Sequence, residues 1–139
     1  MARRVALVSP TREFLQQWDY LLSSFPPDRL WVIGELPDMP QRSPFSRAVL
    51  AETAESLPAD PLVVLAPRSG RHYQGEISLL DFEPTDDSIF LFGPDHLPLS
   101  DDHLGSRRPS HLVYIPTATE DDLYSWVAAA IVFWDLIRG

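Results

Sequence analysis

"SIFLFGPDHLPLSDDHL", residues Ser88 to Leu104, decides how this chain is read. An apolar run ends in Phe-Gly-Pro-Asp, and a loop carrying a second proline, Pro98, leads to a short acidic segment. Continuous apolarity over "IFLF", without alternation, marks a strand buried on both faces, as in parallel sheets. "LVVLA" (Leu62–Ala66) has the same character. A chain that brings its backbone close to a ligand would be written this way, Gly93 carrying no Cβ and Pro94 stiffening the loop, and so would a chain that only turns.

Working outward, strand-like and helix-like segments alternate. "RRVALVSP" reads as a strand closed by Pro10. "TREFLQQWDYLLSSF" reads as a helix with Thr11 as N-cap. Its apolar face is Phe14, Leu15, Trp18, Leu21, Leu22 and Phe25. "RLWVIGE" is a second strand and "LPDMPQRSPF" a proline-rich loop. "SRAVLAETAESL" reads as a helix ended by Pro58. "PLVVLAPRSG" is a strand running into a turn, and "ISLLDF" fits either a short strand or a helical turn. After "SIFLFG" comes a last strand, "HLVYIP". The helix "TEDDLYSWVAAAIVFWDLIRG" follows, with Thr119 as N-cap, carboxylates at its start and Arg138 at its end. The pattern predicts a single α/β domain over residues 1–139, a parallel sheet flanked by helices. In such sheets ligands bind outside the carboxyl ends of the strands, so the loops after Leu65, Phe92 and Ile115 are the first candidates.

The last helix is apolar on two sides. Leu123, Val127, Ala130, Ile131, Trp134 and Ile137 form one face; Trp126, Ala129, Phe133 and Leu136 form another. A helix apolar nearly all round must be covered on more than one side. One face is expected in the core and the other, Trp126, Ala129, Phe133 and Leu136, at a homodimer interface.

Composition narrows the chemistry. The 139 residues carry 20 acidic and 11 basic side chains, a formal charge of −9, so general attraction to nucleic acid is not built in. All basic residues are arginine, and lysine, asparagine and cysteine are absent. Lysine and asparagine have A/T-rich codons, so their joint absence points to a GC-rich genome, bacterial or phage. Without cysteine there is no disulfide, thiol nucleophile or thiolate metal site. The N-terminal run "VALV" is too short for a leader. The longest apolar run, Trp126 to Trp134, is too short to span a bilayer, and a soluble cytoplasmic protein is expected.

Local chemistry is sparse. His96 and His103 with Asp95, Asp101 and Asp102 lack metal-ligand spacing; Ser100 capping a short helix explains the same residues, and no metal is expected. Arg68, Arg71, His72 and Tyr73, and also Arg107 and Arg108, are candidates for phosphate contact or ordinary surface. Trp18, Trp126 and Trp134 each fall on an apolar helical face and read as core or interface. No catalytic residue is assigned.

Three segments, in order, resemble the SPOUT superfamily of knotted methyltransferases, specifically its small tRNA ribose 2′-O-methylating branch. "SIFLFGPDHLPLS" is similar to the family strand ending in Phe-Gly-Pro-Glu before a Gly-Leu pair. "HLVYIPT" is similar to its Ile-Pro strand end. "DLYSWVAAAIVFWDLIR" is similar to its Ser-Leu-Asn helix with a later Tyr-Glu. The resemblance implies a SPOUT-like dimer with a C-terminal trefoil knot, an exception to the rule against threaded chains. It also implies S-adenosylmethionine held by main-chain groups of three loops. Carried over, these are Ala66, Pro67, Arg68, Ser69 and Gly70; Phe92, Gly93, Pro94 and Asp95; and Ile115, Pro116 and Thr117 with Leu123 and Tyr124.

The chain departs from the pattern. Asp95 stands for the glutamate, Pro98 for the glycine, Asp122 and Tyr124 for the serine and asparagine. The first helix offers only Arg12 where the family has an asparagine and an arginine. These departures favour a catalytically inactive, dimeric binding or structural module, with a protein partner. The alternative is an S-adenosylmethionine-dependent RNA methyltransferase with a rearranged site in which Arg12 or Arg68 handles phosphate. The acidic charge disfavours RNA.

Overall fold

The computed structural model describes residues 3–65, 76–95, 99–118 and 123–138. The strands are β1 (Arg4–Val8), β2 (Arg29–Ile33), β3 (Val49–Ala51), β4 (Leu62–Leu65), β5 (Glu76–Ser78), β6 (Ile89–Phe92) and β7 (His111–Tyr114). The α-helices are α1 (Leu15–Ser24), α2 (Asp101–Leu104) and α3 (Ser125–Arg138). The strands form one sheet in the order β3-β2-β1-β6-β4-β7-β5, with every pairing parallel.

Side chains alternate across this sheet and build two cores. On one face Val5, Leu7, Val32, Val63, Phe90, Phe92 and Val113 meet Trp18 and Leu22 of α1 and Ala129, Val132 and Phe133 of α3. On the other, Ala6, Trp31, Ile33, Leu62, Val64 and Leu91 are covered by Ala54 and Leu57, with Leu99 and Leu104 packed against them. One face therefore rests on two full helices and the other on short turns. Burial on both faces is why "LVVL" and "IFLF" are apolar at every position. No helix among the described residues is long and apolar enough to cross a membrane.

Three expectations are corrected. "SRAVLAETAESL" is not an α-helix. Ser43 Oγ accepts the N–H of Phe45 and starts a 3-10 turn, Pro44–Arg47, which buries Phe45. The chain then extends, and Val49–Ala51 pairs with Trp31–Ile33. Thr53 opens a second 3-10 turn, Ala54–Ser56, by accepting the N–H of Glu55. The gain from pairing with β2 overrides the helix propensity of the three alanines and two glutamates.

Thr11 does not cap an α-helix with its side chain. A 3-10 turn, Arg12–Phe14, intervenes before α1, and the Thr11 carbonyl accepts the N–H of Phe14. The last helix starts at Ser125, with the Tyr124 carbonyl accepting the N–H groups of Val127 and Ala128, each at 3.0 Å. Leu123 and Tyr124 precede the helix, and Thr119 to Asp122 lie outside the described residues.

The third correction concerns the two faces of α3. Ala129 and Phe133, assigned to a partner, are fully buried within this chain, and Trp126 and Leu136 pack against the same core. The small Ala129 lets the helix approach the sheet. Phe133 then sits edge-on to Phe92 at 5.7 Å and reaches Phe25 at 6.1 Å. Ile131, Trp134 and Ile137 lie on the open side, with Trp134 59% exposed.

Candidate functional site

Strands β6, β4 and β7 are consecutive and point the same way, so the segments that follow them leave the sheet side by side. β1 adds a fourth exit beside β6. Two of the predicted loops can be followed here. Ala66 to Gly70, the segment after β4, lies outside the described residues, as do Arg71, His72, Tyr73, His96 and Pro98.

The loop after β6 is fixed from three directions. Asp95 is buried, and its Oδ2 accepts from the main-chain N–H of Thr11 at 3.2 Å and from the Thr11 hydroxyl at 3.4 Å. Its Oδ1 accepts the indole N–H of Trp18 at 3.1 Å. The carboxylate thus ties the exit of β6 to the exit of β1 and the first turns of α1. From the other side, Ser125 Oγ lies 2.7 Å from the Gly93 carbonyl and 3.1 Å from that of Pro94. The start of α3 is thereby joined to the same loop.

Gly93 answers a different need from the one its sequence context implied. A Cβ built on it would lie 3.4 Å from Leu99 Cβ and 3.6 Å from Leu99 N, so the group that approaches closely belongs to the returning chain. Asp95 likewise turns its side chain inward rather than toward a ligand. Phe92 is buried in the core. At the exit of β7, Ile115 packs against the core and Pro116 is exposed. Leu123 is half-buried, while Tyr124 is 47% exposed with its ring 4.9 Å from that of Phe14.

The arginines divide clearly. Arg107 donates to the carbonyls of Ala54, Leu57 and Asp60 at 3.2, 3.1 and 2.6 Å. Burial lowers its pKa, with Asp60 acting in the opposite sense. It holds the turns that cover the second core and is spent on structure. Among the described residues Arg108 reaches the carbonyls of Gly105 and Arg107. Arg12 is exposed, and no hydrogen bond or ion pair engages it among the described residues. In the acidic loop, His103 Nδ1 lies 3.1 Å from both the N and the Oγ of Ser100, at the start of α2. Among the described residues no three histidine or carboxylate side chains converge to hold a metal.

Sequence reasoning missed two of these residues. The helix read from Thr119 puts Ser125 inside it, whereas α3 begins at Ser125, and a serine at a helix start was the available signal. The Trp18 indole gave no hint of a buried carboxylate partner 77 residues away.

Neither a protein-family model nor a curated protein sequence matches the chain. Solved structures do. TrmJ from Z. mobilis ZM4 superposes with a TM-score of 0.73 over 99% of this chain and 70% of that one, at 16% identity. The chain has the SPOUT methyltransferase fold. An AdoMet-bound rRNA methyltransferase from Sinorhizobium meliloti gives a TM-score of 0.72 at 17% identity, covering 99% of this chain. This chain spans only 56% of the length of that protein. A structure solved for the 2-OH methylation of C/U34 on tRNA gives 0.70 at 19% identity, covering 99% and 95% of the two chains. The SPOUT fold explains the order of strands and the placement of α3 after β7. At such identities it leaves the activity to the residues themselves.

Proposed function

We propose that this chain binds S-adenosylmethionine and methylates RNA at a ribose 2′-hydroxyl. The observation that carries this is the end-to-end match to the structure solved for tRNA 2-OH methylation, 99% of one chain against 95% of the other.

The described residues fit the cofactor in part. Half-buried Ile115 and Leu123 offer an apolar rim for the adenosyl group, and inward-turned Asp95 presents no carboxylate to its amino-acid end. Gly93 contributes through loop packing. Main-chain groups of Ala66 to Gly70, Ile115 to Thr117, Leu123 and Tyr124 complete the proposed set. Bound there, the cofactor supplies an electrophilic methyl group for an RNA hydroxyl. Arg12, exposed in the turn after β1, is the cation proposed to take the RNA phosphate.

A homodimer belongs to this reading, through the other apolar side of α3. Ile131, Trp134 and Ile137 on α3 and Tyr20 on α1 are exposed apolar side chains. Between the helices runs a groove of about 450 Å³ lined by Gln16, Gln17, Tyr20, Leu21, Trp126 and Ala130. The same face with a net charge of −9 favours a second reading, a dimeric protein-binding module without catalysis.

The test is transfer of labelled methyl from S-adenosylmethionine to tRNA and rRNA transcripts by purified protein. Label resistant to base hydrolysis at one nucleotide supports ribose methylation. No incorporation into either RNA favours the module.

A further inference from the structure

We infer that Tyr124 is a stacking surface for an unpaired nucleobase of the acceptor strand, with Arg12 taking the adjacent phosphate; this rests on the methyltransferase reading. The ring is 47% exposed, yet it is braced: Phe14 lies against it at 4.9 Å with the planes tilted by 48°, and Trp126 lies 6.3 Å from Phe14. A supported aromatic ring loses little freedom when a base settles on it, and every base has a π-face to offer. The position is built as well. Tyr124 immediately precedes Ser125, whose hydroxyl holds the carbonyls of Gly93 and Pro94. The ring therefore sits between the exit of β6 and the turn that follows β1, at the carboxyl end of the sheet where ligands bind.

Arg12 belongs to the same 3-10 turn as Phe14 and is exposed. Its neighbour Glu13 is also exposed, so among the described residues of this turn Arg12 is a single cation beside a carboxylate. Asp95 spends its charge on Thr11 and Trp18. On a chain of charge −9, binding that depends on stacking and one arginine should respond weakly to salt.

The experiment is fluorescence anisotropy with a 5′-fluorescein single-stranded RNA octamer of mixed sequence, titrated at several salt concentrations. The expected result is binding with a log–log salt slope of about −0.7, the value for one phosphate contact. Tyr124→Ala should weaken binding by about 10-fold and Tyr124→Phe by less than about twofold, since the phenylalanine keeps the ring. Arg12→Gln should flatten the salt slope. Tyr124→Leu keeps an apolar contact to Phe14 without a π-face and should match the alanine variant, which separates stacking from a folding defect. Wild-type affinity in the leucine variant, a steep salt slope, or no binding by the wild type overturns the proposal. Calorimetry with S-adenosylmethionine on the wild type judges the underlying reading separately. Cofactor heat without octamer binding sinks the stacking role alone. Octamer binding that depends on the ring, without cofactor heat, upholds stacking and sinks methyl transfer.

Discussion

The carboxylate of Asp95 accepts the indole N–H of Trp18 at 3.1 Å, inside the core and 77 residues away in sequence. The same carboxylate receives the main-chain N–H of Thr11. One side chain thus binds the exit of the central strand β6 to the first helix, and the candidate site inherits its shape from that link. Asp95→Ala would leave the Trp18 donor buried and unpaired, a cost of about 1–3 kcal/mol. Asp95→Asn keeps an acceptor for Trp18 and should lose less. Urea unfolding of the three proteins measures the order, and equal stability of the alanine variant would remove Asp95 from this role.

Phe133 and Trp134 are adjacent in sequence and opposite in fate. Phe133 is fully buried against Phe92, whereas Trp134 is 59% exposed. Phe133→Ala should cost about 3–5 kcal/mol. Trp134→Glu should leave the fold intact and convert a dimer to a monomer, read by light scattering across a concentration series. A wild-type protein that is monomeric throughout would reject the dimer through this face.

Gly105 has φ of +64°, and a Cβ there would collide with Glu55 Oε1. Gly105→Ala must accept a positive φ with ψ of −137°, outside the left-handed helical well, and displace the glutamate. The backbone conformation alone disfavours alanine by about 1–3 kcal/mol. Denaturant midpoints for the variant and the wild type give the difference.

Glu55 accepts the main-chain N–H of Ser106, and that bond, followed by one from the Ser106 side chain, holds its pKa below the ordinary 4.5. A carboxylate depressed on folding stabilises the protein fully above the unfolded value and loses that contribution as pH falls through the lower folded one. The stability difference between wild type and Glu55→Gln should therefore shrink as pH is lowered below about 4.5. Thermal unfolding at closely spaced acidic pH values gives the curve, and a difference that grows on acidification contradicts it.

The sequence carried the sheet better than the site. β4 and β6 were legible because burial on both faces forces every position to be apolar. Two quantities resisted. In α3 apolar residues surround the helix, so periodicity found two faces without saying which one the sheet takes; the small Ala129 decides it. Between Ser43 and Leu57, helix-forming alanines and glutamates gave the wrong element because the β2 edge, a tertiary partner, recruits Val49 to Ala51 as a strand. At the site, glycine and proline marked the loop after β6 correctly. The reason for the glycine, contact with Leu99, depends on a chain reversal that spacing does not encode.

The central claim, that the exits of β6, β4 and β7 form a cofactor site, is tested most directly by titrating the purified protein with S-adenosylmethionine in a calorimeter, beside thermal unfolding at the same ligand concentrations. The account predicts stoichiometric heat and a Tm that rises with ligand, corresponding to about 2.7 kcal/mol of added stability at one hundred times Kd. No heat and an unmoved Tm at millimolar ligand would contradict it, leaving a SPOUT fold that serves as a scaffold.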